Sequence, residues 1–186
     1  MKKALTISLL FLSALWAEEP TYVSEAPLPK GWPQPGPYNK VVEKQYPDYR
    51  VAVTPGGGGL SFWTLFSHIK KKNIPMTAPV EMGMTSDKKT MKKTSMGFLY
   101  QGTDVGQIGT DGGRVEVMDV KKNQTLSYTW MGDDTEEQIA IARKALDEVL
   151  SKKQLKAKSF RLLGYNGPGT PRKQRTYELQ AVLPQG

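Results

Sequence analysis

Apolar residues at positions 62, 65, 66 and 69 follow the i, i+3, i+4, i+7 spacing of one helical face, so Phe62, Leu65, Phe66 and Ile69 predict a helix over residues 60–72. A second, longer helix is predicted to end near residue 153. Asp133, Asp134 and Thr135 are its candidate caps, Glu136 and Glu137 suit the dipole of its first turn, and Ile139, Ala142, Leu146, Val149 and Leu150 form its apolar face. Elsewhere the period is two. Met76, Ala78, Val80, Met82 and Met84 alternate with other residues and predict a strand with one buried face, while Pro79, lacking an N–H, argues for an edge or a bulge. A turn at 86–89 leads to a partner strand at 91–100. Strands are also predicted at 41–45 and 49–54, as a hairpin around Pro47-Asp48, at 114–120 and 125–131 around a turn at 121–124, and at 160–165 and 177–183 around the loop 166–172. Residues 101–113, glycine-rich and poor in apolar side chains, read as a loop.

The element order is then ββαββ followed by ββαββ. It implies an α+β fold in which a curved sheet or distorted antiparallel β-barrel carries two helices, built from pseudo-duplicated halves that share order but no clear sequence repeat. Gly56 to Gly59 precede the first helix, but no lysine and hydroxyl follow as in a phosphate-cradling loop, so a flexible connection is expected. Pro20, Pro27, Pro29, Pro33, Pro35 and Pro37 make residues 18–38 an extended arm, which either packs through Tyr22, Trp32 and Tyr38 or stays mobile. Residues 1–17 carry Lys2 and Lys3, an apolar run and a small residue at Ala17, the pattern of a removable export signal. That leaves one folded domain over 39–184, expected in the periplasm or secreted.

Composition narrows the chemistry. The apolar run near the start is shorter than the roughly 20 residues that span a bilayer, and no second such run follows. With no cysteine and a single histidine in 186 residues, thiolate sites, disulfides and histidine clusters are excluded, and no Gly-x-Ser-x-Gly elbow surrounds any serine. A binding protein rather than an enzyme is therefore expected. Net charge is +8; loss of Lys2 and Lys3 leaves 24 basic against 18 acidic side chains, a surplus that suits a soluble surface. Export argues against nucleic acid, and oligomeric state stays open.

Phe62-Trp63-Thr64-Leu65-Phe66-Ser67-His68-Ile69, then Asn73 and Ile74-Pro75-Met76-Thr77-Ala78-Pro79-Val80, resembles the signature region of the SOUL heme-binding family, with its aromatic helix, Asn-containing turn and Met-Thr-Ala-Pro-Val strand. Tyr46, Tyr49 and Arg50 loosely echo the family's opening strands, and Gly164-Tyr165-Asn166 with Pro168 is similar to its Gly-Tyr-Asp-x-Pro turn. The resemblance spans about residues 38–183. It implies non-covalent binding of heme or a related tetrapyrrole in an apolar groove with a basic rim. The walls would be Phe62, Phe66, Tyr165 and Pro168, and Lys70, Lys71, Arg172 and Lys173 would meet the propionates.

Each assignment has a plainer rival. The Phe62–Ile69 stripe also suits core packing, and Met76, Met82 and Met84 suit core filling. His68, the one histidine, is a candidate axial iron ligand. The family usually has tyrosine there, though, and the helical repeat places His68 on the flank of the stripe, where a half-exposed structural histidine is the favoured reading. Two alternatives remain. One is a module for other amphipathic molecules, similar to multidrug-sensing domains, which a buried Glu81 or Glu116 would favour; the other is an envelope-interaction protein using the arm and basic surface.

Overall fold

The structure is a computed structural model and describes residues 20–85, 87 and 90–184. The export signal expected at 1–17, and Ser86, Lys88 and Lys89 of an expected turn, lie outside the described residues.

Nine strands and two α-helices are described: β1 Val41–Tyr46, β2 Tyr49–Pro55, α1 Gly59–Lys71, β3 Val80–Met84, β4 Lys93–Leu99, β5 Gly109–Asp111, β6 Val115–Val120, β7 Asn123–Met131, α2 Glu136–Lys152, β8 Ser159–Gly164 and β9 Thr176–Val182. They form one curved antiparallel sheet in the order β1-β7-β9-β8-β3-β4-β2-β6-β5. The sheet is open, ending at β1 and β5.

The duplication is written into that order. Exchange β1 with β6, β2 with β7, β3 with β8 and β4 with β9, and the run from β1 to β6 reads the same backwards, with β3 and β8 paired at its centre. Two expected hairpins are corrected by this arrangement. The β1–β2 and β6–β7 turns join strands that do not pair: β1 lies on β7 and β2 on β6, so each half lends its first strand to the other. Hairpins do form at β3–β4 and β8–β9.

Two local expectations also change. The strand expected from Met76 begins only at Val80, after a cis Ala78-Pro79 bond, and lies inside the sheet between β4 and β8, where Pro79 withholds no ladder donor. Its irregularity sits at Gly83/Met84. Within the expected loop 101–113, Gly109–Asp111 pairs with β6 as β5.

Alternation divides the sheet into two faces. On the helix face, Ala52, Met82, Met96, Phe98, Trp130, Leu162 and Leu179 pack with Leu65 and Ile69 of α1 and Ile139, Ala142, Leu146 and Leu150 of α2. Thr135 caps α2, accepting from the Gln138 N–H at 3.3 Å. The glycine run turns tightly into α1: Gly56 has φ +82°, and a Cβ on Gly57 would lie 2.3 Å from the Lys93 Cβ.

The second face is covered by the proline arm, which is ordered. Trp32 packs edge-on against Tyr46 and Tyr49, with ring centroids 4.6 and 5.2 Å away, and joins Val51, Leu99, Leu163 and Tyr165 in a second cluster. Tyr38 shares a 3.0 Å hydroxyl hydrogen bond with Thr176, and Lys44 donates to the Gln34 carbonyl. Glu25 accepts from Thr170 and from the Gly167 N–H, tying the arm to the loop after β8.

Candidate functional site

The side chains expected to wall a single groove separate onto the two faces. Phe62 and Phe66 of α1 are half-buried at the rim of the helix-face core, their rings stacked with centroids 6.1 Å apart. Trp63 stands edge-on to both at 5.7 Å and is 64% exposed; Leu60, one turn before, is 87% exposed. Phe98 of β4 supports Phe62 from below at 5.2 Å. Successive positions 62, 66 and 70 advance about 40° per step, so exposed Lys70 continues the aromatic strip, whereas Lys71 falls on the far side of the helix. The result is an apolar strip open to solvent with a cation at one end.

Tyr165 belongs elsewhere. It is buried in the second cluster, edge-on to Tyr22, and donates a 3.2 Å hydrogen bond to Glu178, so it does not face the α1 strip. Pro168 and Arg172 are exposed on the loop between β8 and β9, which Glu25 of the arm holds; Arg172 reaches Asp133 at 3.6 Å. Lys173 is also exposed there. The structure thus brings Phe62, Phe66 and Lys70 together, places Tyr165 on the other face, and leaves Pro168 and Arg172 exposed on the loop between β8 and β9.

His68 is buried, at 5% exposure, rather than half-exposed. Its Nδ1 lies 2.6 Å from Asp111 and its Nε2 2.7 Å from the Tyr100 hydroxyl. The hydrogen bond with His68 holds the Asp111 carboxyl below its usual range. Burial pushes the Tyr100 hydroxyl up to about 12, and this hydroxyl shares its hydrogen bond with Nε2. Both ring nitrogens are therefore engaged, and neither is free for iron. β5 buries His68 by bringing Asp111 over it, a contact hidden in a segment that sequence alone shows as loop.

The arm face holds a polar network around Glu178, Arg161 and Gln180, three residues that sequence reading did not single out. Glu178, fully buried, accepts from Lys44 and Tyr46 at 2.8 Å, from Gln180 at 2.5 Å and from Tyr165. Arg161 donates to Tyr49 at 2.5 Å, to Glu81 at 3.0 Å, to Gln180 at 2.6 Å and to Asn123 at 3.2 Å. Burial, with the Glu178 and Glu81 charges beside them, raises the hydroxyls of Tyr46 and Tyr49 beyond their ordinary range. Of the carboxylates that would favour an acid-centred drug site, Glu116 is exposed and Glu81 is already paired. On the helix face of β2, Arg50 grips Asp119 through two bonds, at 2.7 and 3.0 Å, and holds the carbonyls of Val105 and Gly106. Among the described residues, no group of three His, Asp or Glu side chains is placed to hold a metal, and no helix is long and apolar enough to cross a membrane.

The fold is an open, pseudo-duplicated α+β sheet that carries two helices, with an exposed aromatic strip on the first. The model of the SOUL heme-binding protein family matches residues 39–181, and the chain belongs to that family. No curated protein sequence matches it. Among solved structures, the EcmrR C-terminal domain is similar with a TM-score of 0.57 at 12% identity, over 79% of this chain and 98% of that one. A hydrolase from Listeria innocua is similar with a TM-score of 0.54 at 14% identity, over 79% of this chain and 93% of that one. An uncharacterized conserved protein from Listeria innocua gives 0.55 at 14%, over 80% and 93%. At these identities the likeness is one of fold.

Proposed function

We propose that this protein binds heme or a related tetrapyrrole non-covalently on the open face of α1. The observation that carries the reading is the strip Phe62, Trp63 and Phe66 left open to solvent beside Lys70, in a member of a heme-binding family. A porphyrin is a broad apolar plate with carboxylates at one edge; the rings supply a wall and Lys70 a partner for one propionate. The residues fit the plate and its charge, and they do not offer an iron ligand from His68, whose nitrogens serve Asp111 and Tyr100. The role is carriage rather than chemistry. The signal-like residues 1–17 support work outside the cytoplasm.

Hemin titrated into purified protein tests this. A saturable Soret shift is expected, and Trp63→Ala with Phe66→Ala should weaken it at least tenfold, since each ring contributes about 1.5–3 kcal/mol on full burial. His68→Ala, checked for folding by circular dichroism, should leave the Soret position unchanged. Absence of saturable binding, or a double variant that binds as well as the parent, refutes the proposal.

A further inference from the structure

A cleft of about 570 Å³ opens beside the arm-face network, away from the α1 strip. This is within the roughly 300–1,000 Å³ of small-molecule sites. Its floor holds Tyr49, Glu81 and Arg161, and the half-buried Val120 and Val182 give it apolar sides. Lys121 and Lys158 also line it, both exposed on the connections that flank β6 and β8. Lys121 and Asn123 also line a wider cleft of about 1090 Å³ between the β1–β2 and β6–β7 turns.

The charges decide what such a cleft accepts. Arg161, Lys121 and Lys158 face a single carboxylate, Glu81, whose Oε2 is already taken by Arg161 and Tyr49. The other carboxylate of the network, Glu178, is closed off by Lys44 and the tyrosines. Asp48 offsets Lys121 only weakly, across 3.3 Å between two largely exposed side chains. A cationic guest meets paired carboxylates and two repelling ammonium groups. An anionic guest meets two ammonium groups with little competition, and its apolar body meets Val120 and Val182.

We propose that this cleft is a second binding site, for an amphipathic organic anion with its acid group between Lys121 and Lys158. The inference does not rest on the tetrapyrrole reading, because none of its residues lies on α1. Dodecanoate, dodecyltrimethylammonium and dodecanol, each below its micelle or solubility limit, are titrated calorimetrically into the full chain. Dodecanoate should bind saturably at one site, with the cation and the alcohol at least tenfold weaker. Lys121→Glu with Lys158→Glu should weaken dodecanoate at least tenfold while leaving the hemin titration unchanged, and Trp63→Ala with Phe66→Ala should leave dodecanoate unchanged. The proposal is overturned if dodecanoate does not bind, if the cation binds as tightly, if reversing the lysine charges has no effect, or if the α1 variant abolishes dodecanoate binding. Loss of hemin binding in the lysine variant would show one shared site and overturn it too.

Discussion

Trp32→Ala tests whether the proline arm is part of the core. Trp32 is buried to 6% exposure and contacts Tyr46 and Tyr49 edge-on. Truncating a buried tryptophan typically costs about 3–5 kcal/mol. Here one contribution runs the other way: Nε1 lies near the Tyr165 hydroxyl yet reaches no hydrogen-bond geometry, and removing a buried unpaired donor returns part of its cost of about 1–3 kcal/mol. The expected loss is therefore at the low end, about 2–3 kcal/mol, or a fall in Tm of roughly 5–10 °C for a chain of this size. Far-UV circular dichroism through thermal and urea unfolding is the suitable readout, because the substitution removes a fluorophore. Leu60→Ala is the control: also large and apolar, but 87% exposed, it should stay within about 0.5 kcal/mol. A Trp32→Ala loss as small as that of Leu60→Ala would refute the reasoning and make the arm a loosely laid tail.

Glu178→Gln leaves Lys44 buried without its carboxylate, and a loss of about 3–5 kcal/mol is expected in urea unfolding. Asp111→Asn removes the carboxylate that holds His68, so hydrogen exchange should quicken in residues 101–113 while strands β7–β9 stay protected. The Arg50 hydrogen bond depresses the Asp119 pKa, so that pair stabilises the fold fully above the unfolded value of about 3.9 and the contribution is lost as pH falls below it. Asp119→Asn should accordingly flatten the stability profile between about pH 4 and pH 2 relative to the parent, and an unchanged slope would count against the pair.

Both helices were legible because each buries one stripe against the sheet, and periodicity reports that directly. The ββαββ repeat was legible as well, but pairing was not: Pro47-Asp48 has hairpin chemistry, while β1 and β2 answer to partners in the opposite half. Thr176, Glu178 and Gln180 alternate with apolar residues in the manner of a solvated face, yet all three are buried. What covers them is the arm, whose prolines hide its role because it docks through rings and a few hydrogen bonds rather than a ladder. For the site, the aromatic helix and Lys70 were readable from spacing. The division of Tyr165 from Phe62 was not, since it depends on which sheet face each strand presents.

The exchange of first strands sets a timetable for the chain's maturation. Val41 pairs with Tyr128 and Val51 with Met118, so residues emerging early in synthesis wait for partners made much later. Each half pairs three of its strands internally, β2-β4-β3 and β7-β9-β8, but its first strand waits for the other half. Ribosome-bound fragments ending before β7 would present β1 as a naked edge, inviting association with other chains. Such a protein is expected to fold slowly and only once whole.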